Sequence, residues 1–361
     1  MSIRVLVVDD TAMFRRVISD ALAGVPGIEV VGTAPNGRLA LARMAELRPD
    51  LVTLDIEMPE MNGIEVLEAM RTAGLAPGVI VLSALTVRGG QMTVRALELG
   101  AFDFLTKPEG ARPADSLALL RESLLPMLRA FERRRDIRTI LNGVPARPTS
   151  PAPTITFDRP VRRPTRSGSP LVLVGVSTGG PAALAAMLPS LPAELGAPLF
   201  IVQHMPALFT QPLAVSLNKQ CAIRVKEAEE GEIAQPNCAY LAPGGRQMKL
   251  TPGPQGEIIM RLTDDPAENG CKPAADYLFR SAALNFPGRS VAAILTGMGS
   301  DGTAGLRMLK RSGCFAIAQD EASCVVFGMP KEAIAAGVVD TVAPLEMIAG
   351  AIVRSLKEAR A

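Results

Sequence analysis

The chain has a single histidine, His204, and no tryptophan. One imidazole excludes zinc sites built on several histidines. It also routes any imidazole chemistry through one residue. Aromatic residues make up 4% of the chain, too few for a platform that stacks nucleic-acid bases. An excess of one charge is missing too. The formal net charge is +2, too small for a protein that binds nucleic acid by neutralising phosphates. No apolar run reaches the roughly 18 residues of a membrane span. The opening MSIRVLVVDD has too short an apolar run for a secretory leader. The five cysteines (Cys221, Cys238, Cys271, Cys314, Cys324) include no CxxC pair. That pattern argues against a disulfide framework or a cysteine-rich metal site. Reduced core thiols in a cytoplasmic protein are expected.

What is present points to more than one domain. The 361 residues are 48% hydrophobic, enough to bury substantial cores, and the length suggests two or three domains. Charge is uneven along the chain. It is net −4 over residues 1–125, net +7 over 126–170 and net −1 over 171–361. The basic stretch holds Pro145, Pro148, Pro151, Pro153, Pro160, Pro164 and Pro170. Proline fixes φ and removes donors, so the end of a helix followed by an extended, solvated linker is expected over 126–170. Arg159, Arg162, Arg163 and Arg166 are read as keeping that linker soluble, with binding to an acidic surface as the alternative.

Both flanking regions alternate short apolar runs with helical patterns, as parallel α/β sheets do. In the first, strands are expected at residues 5–8, 30–33, 51–54, 79–82 and 102–105, with Phe14, Val17, Ile18 and Leu22 on a helix face. That makes a (βα)5 domain over 1–125. In the second, 171–361, strands are expected at 171–174, 199–202, 291–295 and 315–318. Leu184, Met187, Leu188 and Leu191 mark a helix face, with Pro181 in its first turn. The expected fold is a doubly wound, mainly parallel sheet.

Ligands of such sheets sit beyond the carboxyl ends of the strands. In the first domain Asp9 and Asp10 follow one strand end, and Asp55, Ser83 and Lys107 follow three others. Clustered carboxylates call for a hard cation such as Mg²⁺, and a carboxylate can accept a phosphoryl group. Helix capping would explain one such acid, but not five polar residues at successive strand ends. The string VVDD…DIEMPEMNG…LSA…LTKP closely resembles the response-regulator receiver domain. The resemblance implies Asp55 as phosphoacceptor and Mg²⁺ held by Asp9, Asp10, Asp55 and the Glu57 backbone. It implies Ser83 and Lys107 as the switch pair. Phe104 stands where many receivers have Tyr, so an aromatic switch there has no hydroxyl to bond. A DNA-binding output would need a basic recognition helix. The near-neutral α/β region that follows points to an enzyme.

In that region Gly175, Ser177 and Gly179 satisfy G-x-S-x-G between a strand and a helix, a turn that can expose a nucleophilic hydroxyl. The same turn could equally cradle phosphate. His204 ends the next strand, where a base for Ser177 would stand. Asp301 follows a third strand and could orient the imidazole. A competing reading takes Gly297, Gly299 and Gly302, with Asp320 and Glu321 about twenty residues on, as a dinucleotide fingerprint. That reading leaves Ser177 and His204 unexplained.

GVSTGGP, IVQHMP, YLAPGG, LTGMGSDG and QDEASCVVFGMP together resemble the chemotaxis protein-glutamate methylesterases, the CheB family. The resemblance implies Ser177 as nucleophile, His204 as base and Asp301 as its orienter. It implies the Met298 N–H as an oxyanion donor, with Thr178 beside the nucleophile. The implied activity is hydrolysis of glutamate methyl esters on methyl-accepting chemotaxis receptors, with deamidation of receptor glutamines as a second activity. A chemotaxis histidine kinase is the implied phosphodonor. The expected protein is a cytoplasmic monomer with no cofactor for the esterase. Its unphosphorylated receiver is expected to cover the Ser177 edge, and its pH–rate profile to show a limb in the usual imidazole range. The alternatives are the same hydrolase acting on receptors of a non-motility pathway, or a non-enzymatic, phosphorylation-dependent scaffold.

Overall fold

The computed structural model describes residues 2–108, 113–143 and 169–358. The chain divides into two compact units, Met1–Leu141 and Asn142–Ala361. Most of the expected linker, 144–168, with Arg159, Arg162, Arg163 and Arg166, lies outside the described residues.

The first unit has five strands, β1 (Ile3–Val8), β2 (Ile28–Ala34), β3 (Leu51–Asp55), β4 (Gly78–Ser83) and β5 (Asp103–Thr106). They form one parallel sheet in the order β2-β1-β3-β4-β5. Helices α1 (Ala12–Leu22), α2 (Gly37–Leu47), α3 (Gly63–Ala73) and α4 (Val87–Glu98) connect them. β3 is buried throughout, as a central strand covered on both faces must be. α1 buries Val17, Ile18, Ala21 and Leu22, one helical stripe. α3 starts on a capping box in which Asn62 accepts from Glu65 N–H and Glu65 accepts from Asn62 N–H. α5 (Pro113–Gly143) contains Pro126 and continues well past residue 125.

The second unit carries a seven-stranded, all-parallel sheet in the order β14-β13-β12-β6-β7-β9-β8. Its strands are β6 (Leu171–Val176), β7 (Leu199–Gln203), β8 (Arg224–Glu227), β9 (Cys238–Leu241), β12 (Ser290–Ile294), β13 (Phe315–Gln319) and β14 (Thr341–Ala343). An antiparallel hairpin, β10 (Gln247–Pro252) and β11 (Ile258–Thr263), stands apart from it. The helices are α6 (Gly180–Met187), α7 (Ala207–Asn218), α8 (Ala275–Asn285), α9 (Thr303–Arg311), α10 (Met329–Ala335) and α11 (Leu345–Glu358). The core joins both layers, with Phe200, Tyr240, Phe279 and Phe286 fully buried or nearly so. Phe200 and Tyr240 stack with ring centroids 5.7 Å apart.

All nine strands expected from sequence are present. β8, β9, β10, β11 and β14 are additions. β8 reads RVKE, three charged residues of four, and β14 has three residues, so neither carries an apolar run. The hairpin does alternate: Met248, Leu250, Ile258, Met260 and Leu262 are buried on one face, a period-two signal. The helix face of Leu184, Met187, Leu188 and Leu191 is buried as expected. The α-helix, however, ends at Met187 and tightens into a 3-10 turn over Leu188–Ser190. Pro189 lacks the N–H that would continue the helix.

Candidate functional sites

Each sheet reverses its strand order at one place, and each set of candidate residues gathers there. In the first unit the reversal falls between β1 and β3, where ligands of open α/β sheets bind. Asp9 follows β1 and Asp55 ends β3. Lys107, just past β5, reaches both carboxylates, its Nζ lying 2.7 Å from Asp9 Oδ2 and 2.7 Å from Asp55 Oδ2. That ammonium also lies 5.0 Å from the centre of the Phe14 ring on α1. Burial is the main influence on Asp55 and pushes its carboxyl up to about 6, against the pull of Lys107. Lys107 is held above its usual range: burial opposes its charge, but the two carboxylates outweigh it.

Ligand oxygens of Asp9, Asp10 and Asp55 lie within 4.8 Å of one another. Asp9 Oδ2 is fully buried, and among the described residues its one partner is the Lys107 ammonium. Three carboxylates balanced by one ammonium make an oxygen-only, net negative donor set, which fits a hard divalent cation such as Mg²⁺. Glu57 N–H donates to Asp55 Oδ1 at 3.3 Å, placing that backbone beside the carboxylate. Ser83 is buried at the end of β4, and its hydroxyl donates to the Ala84 carbonyl. Phe104, on β5, packs half-buried against the core.

In the second unit the sheet reverses between β6 and β12. Ser177 follows β6, and Asp301 lies in the loop after β12. β6 and β7 are in register with Val176 opposite Gln203, so Ser177 and His204 take the next rung. Gly179 holds φ +73° at the start of α6, a left-handed turn that suits glycine and lifts Ser177 out of the strand. A Cβ on Gly297 would lie 2.8 Å from Ser177 Cβ and 2.5 Å from Met329 Sδ. The backbone after β12 therefore passes against the serine only because residue 297 has no side chain. Gly302 caps α9, and Asp320 accepts from Ser323 in a local turn. Gly297, Gly302 and Asp320 of the fingerprint are absorbed by this packing.

His204 and Asp301 are joined. His204 Nε2 lies 2.8 Å from Asp301 Oδ2, with 12% of the imidazole and 2% of the carboxylate exposed. Asp301 also accepts from Ala275 N–H at 2.6 Å and Asp276 N–H at 3.0 Å. It thus caps the N-terminus of α8, whose positive end favours the carboxylate. Burial disfavours that charge, but His204 and the two N–H groups hold Asp301 below its usual range. Burial likewise opposes imidazolium, yet the bonds to Asp301 and Cys271 outweigh it and push His204 up to about 9. The expected imidazole range is corrected upward for this reason.

His204 Nδ1 faces Cys271 Sγ at 3.4 Å. Ser177 and His204 are neighbours whose side chains are not hydrogen-bonded to each other. Among the described residues the Met298 N–H has no acceptor, and the Met298 side chain is 42% exposed. Thr178 is buried, its carbonyl accepting from Thr296 Oγ1. Two contributors escaped the sequence reading, Cys271 and Asn269. Asn269 Nδ2 donates to Asp276 at 3.0 Å and to Asp301 at 3.2 Å. Both residues sit on a tight turn, Glu268–Cys271, closed by reciprocal backbone bonds. The Asn269-Gly270 dipeptide is the sequence signal for that turn.

Two family models match the chain: CheB methylesterase over residues 172–352 and response regulator receiver domain over 5–115. A protein-glutamate methylesterase/protein-glutamine glutaminase of Desulfotalea psychrophila is 50% identical over 363 residues, covering 99% of each chain. One of Bacillus subtilis is 44% identical, again covering 99% of each chain. The crystal structure of the Thermotoga maritima CheB methylesterase catalytic domain superposes with a TM-score of 0.51 at 39% identity. It covers 52% of this chain and 100% of that one.

Proposed function

Because the chain belongs to the CheB methylesterase family, we propose that it hydrolyses glutamate γ-methyl esters on chemotaxis receptors through Ser177, His204 and Asp301. Receptor glutamines are deamidated by the same groups, and phosphorylation of the receiver regulates the activity. The observation that carries the residue assignment is the buried His204–Asp301 pair with His204 on the same rung as Ser177, at the strand reversal of the catalytic sheet. The working division of the chain is a receiver over 1–125, a tether over 126–170 and a catalytic domain over 171–361.

Asp301 keeps the imidazole proton on Nε2, which leaves the Nδ1 lone pair for the nucleophile's side. Ser177 Oγ attacks the ester carbonyl while Nδ1 takes its proton, exchanging its bond with Cys271. The oxyanion is met by the free Met298 N–H beside Thr178. The imidazolium returns the proton to the departing methoxide, and methanol leaves an acyl-serine. Water, deprotonated by the same imidazole, releases glutamate and Ser177. With glutamine as substrate the leaving group is ammonia.

In the receiver, an Asp55 oxygen attacks phosphorus on a phosphohistidine of the kinase. An O–P bond forms as the N–P bond breaks, and imidazole leaves. Asp9, Asp10, Asp55 and the Glu57 backbone would hold Mg²⁺. When bound, it neutralises charge on the transferring oxygens. Lys107 and Ser83 meet the phosphoryl group, and Phe104 adjusts its packing. The protein works in the cytoplasm as a monomer. No helix among the described residues is long and apolar enough to cross a membrane.

The test is methanol release from methylated receptors. Ser177→Ala should lose several orders of magnitude in rate, up to about 10⁶-fold. A Ser177→Ala protein as fast as its parent would exclude the serine mechanism.

A further inference from the structure

We propose that His204 Nδ1 and Cys271 Sγ form a binding site for a borderline-soft divalent cation such as Zn²⁺, and that the bound cation shuts off the esterase. The 3.4 Å between the two atoms is the decisive length. With Zn–N near 2.05 Å and Zn–S near 2.3 Å, that separation sets an N–Zn–S angle of about 103°, close to tetrahedral. The metal displaces two protons to solvent, the one on Nδ1 of the imidazolium and the one on the Cys271 thiol, and bonds to the lone pairs they leave.

Both donors are held ready. His204 is fixed through Nε2 by Asp301 at 2.8 Å, the carboxylate–histidine arrangement that orients metal-bound imidazoles and raises their basicity. Asp301 is itself held by Ala275 N–H, Asp276 N–H and Asn269. Cys271 is pinned by two backbone bonds with Glu268, of 3.0 and 2.8 Å, and its carbonyl accepts from Gln247 at 3.4 Å. Glu268 in turn pairs with Arg280 on α8. Pre-positioned ligands avoid an ordering cost on binding. A nitrogen–sulfur pair selects against Mg²⁺, which demands oxygen. The carboxylates of the receiver and this pair should therefore sort the two metals. Two positions of a tetrahedral metal remain for water.

The metal site stands on this geometry alone. Its effect on turnover rests on the reading of His204 as the base for Ser177, because a metal on Nδ1 removes the lone pair that accepts the serine proton.

The experiment uses the full chain, with Co²⁺ as a spectroscopic probe and Zn²⁺ as inhibitor. Co²⁺ should give a thiolate charge-transfer band that is retained in Ser177→Ala and Asp55→Asn and lost in Cys271→Ala. Zn²⁺ should lower methanol release by about 10²-fold, the contribution of a general base, and a chelator should restore it. Cys271→Ala and Cys271→Ser, each referred to its own metal-free rate, should lose that sensitivity. A thiolate band that survives Cys271→Ala overturns the proposal and places the metal on another thiol, and inhibition equal in both variants and parent overturns it and places the inhibiting metal elsewhere, for instance on the receiver carboxylates. A Cys271-dependent band without inhibition overturns the blocking role and counts against His204 as base. If the metal-free chain releases no methanol at all, the esterase reading fails while the cobalt band still decides the site.

Discussion

The bonds of His204 to Asp301 and Cys271 favour its charged form against burial, and that bears on the expected kinetics. Its folded pKa is about 9 against 6.5 for a free imidazole, so the base form is scarce near pH 7. The rate at limiting substrate should rise with pH until about 9 rather than levelling in the ordinary imidazole range; a limb near 6.5 would contradict the paired state. Linkage has the opposite sense for stability. A group whose pKa rises on folding stabilises the fold fully below 6.5 and loses that contribution as pH climbs through about 9. Gly297 offers a second test. An added Cβ meets Ser177 Cβ at 2.8 Å, so Gly297→Ala should displace the serine. A misplacement of about 1 Å can cost on the order of 10²-fold, which kcat on methylated receptors would reveal. Ser177, His204, Asp301, Asp9, Asp55 and Lys107 were all legible in the sequence, because a parallel sheet sends its strand ends to one edge. Cys271 and Asn269 were not. They arrive on a turn far from any strand end, and only three-dimensional packing brings them to the imidazole.

At the scale of elements, the carboxylate paired with His204 doubles as a helix cap. Asp301 caps α8, whose own N-cap residue, Ala274, has no side chain to do so. Asp276, on α8, accepts from Gly305 N–H at 2.6 Å and so caps α9. Asn269 bridges the two carboxylates. Asp301→Asn should therefore have two separable effects. Loss of the orienting charge should lower the rate by on the order of 10⁴-fold. Loss of the negative charge at the N-terminus of α8 should cost about 0.3–1 kcal/mol in denaturant unfolding. An unchanged rate with lowered stability would make Asp301 a cap alone. Most of the buried inner strands were readable because a strand covered on both faces needs an uninterrupted apolar run; β9, inner and buried but only four residues long, was not. The edge strands of the second sheet were hidden: β8 and β14 are short, and β8 owes its place to pairing with β9 rather than to its own pattern.

At the scale of the molecule, one chain joins two sheets that use the same device, a strand reversal with chemistry above it, for different reactions. Their metal needs differ, and this can be measured. Chelating divalent cations should abolish phosphorylation of Asp55 and leave basal methanol release undiminished. Phosphotransfer from the kinase should raise the full chain's esterase rate, while Asp55→Asn should stay at the basal rate. An Asp55→Asn protein that still responds would move the regulatory site elsewhere. The two-part organisation was legible from charge and proline content along the chain. The catalytic sheet also has blunt margins. One ends in the three residues of β14 and the other in β8, where Lys226 is engaged by Glu229 and Glu232. A margin that short, or that charged, gives an incoming strand few open backbone groups to copy. The esterase sheet is thereby guarded against lateral growth into aggregates.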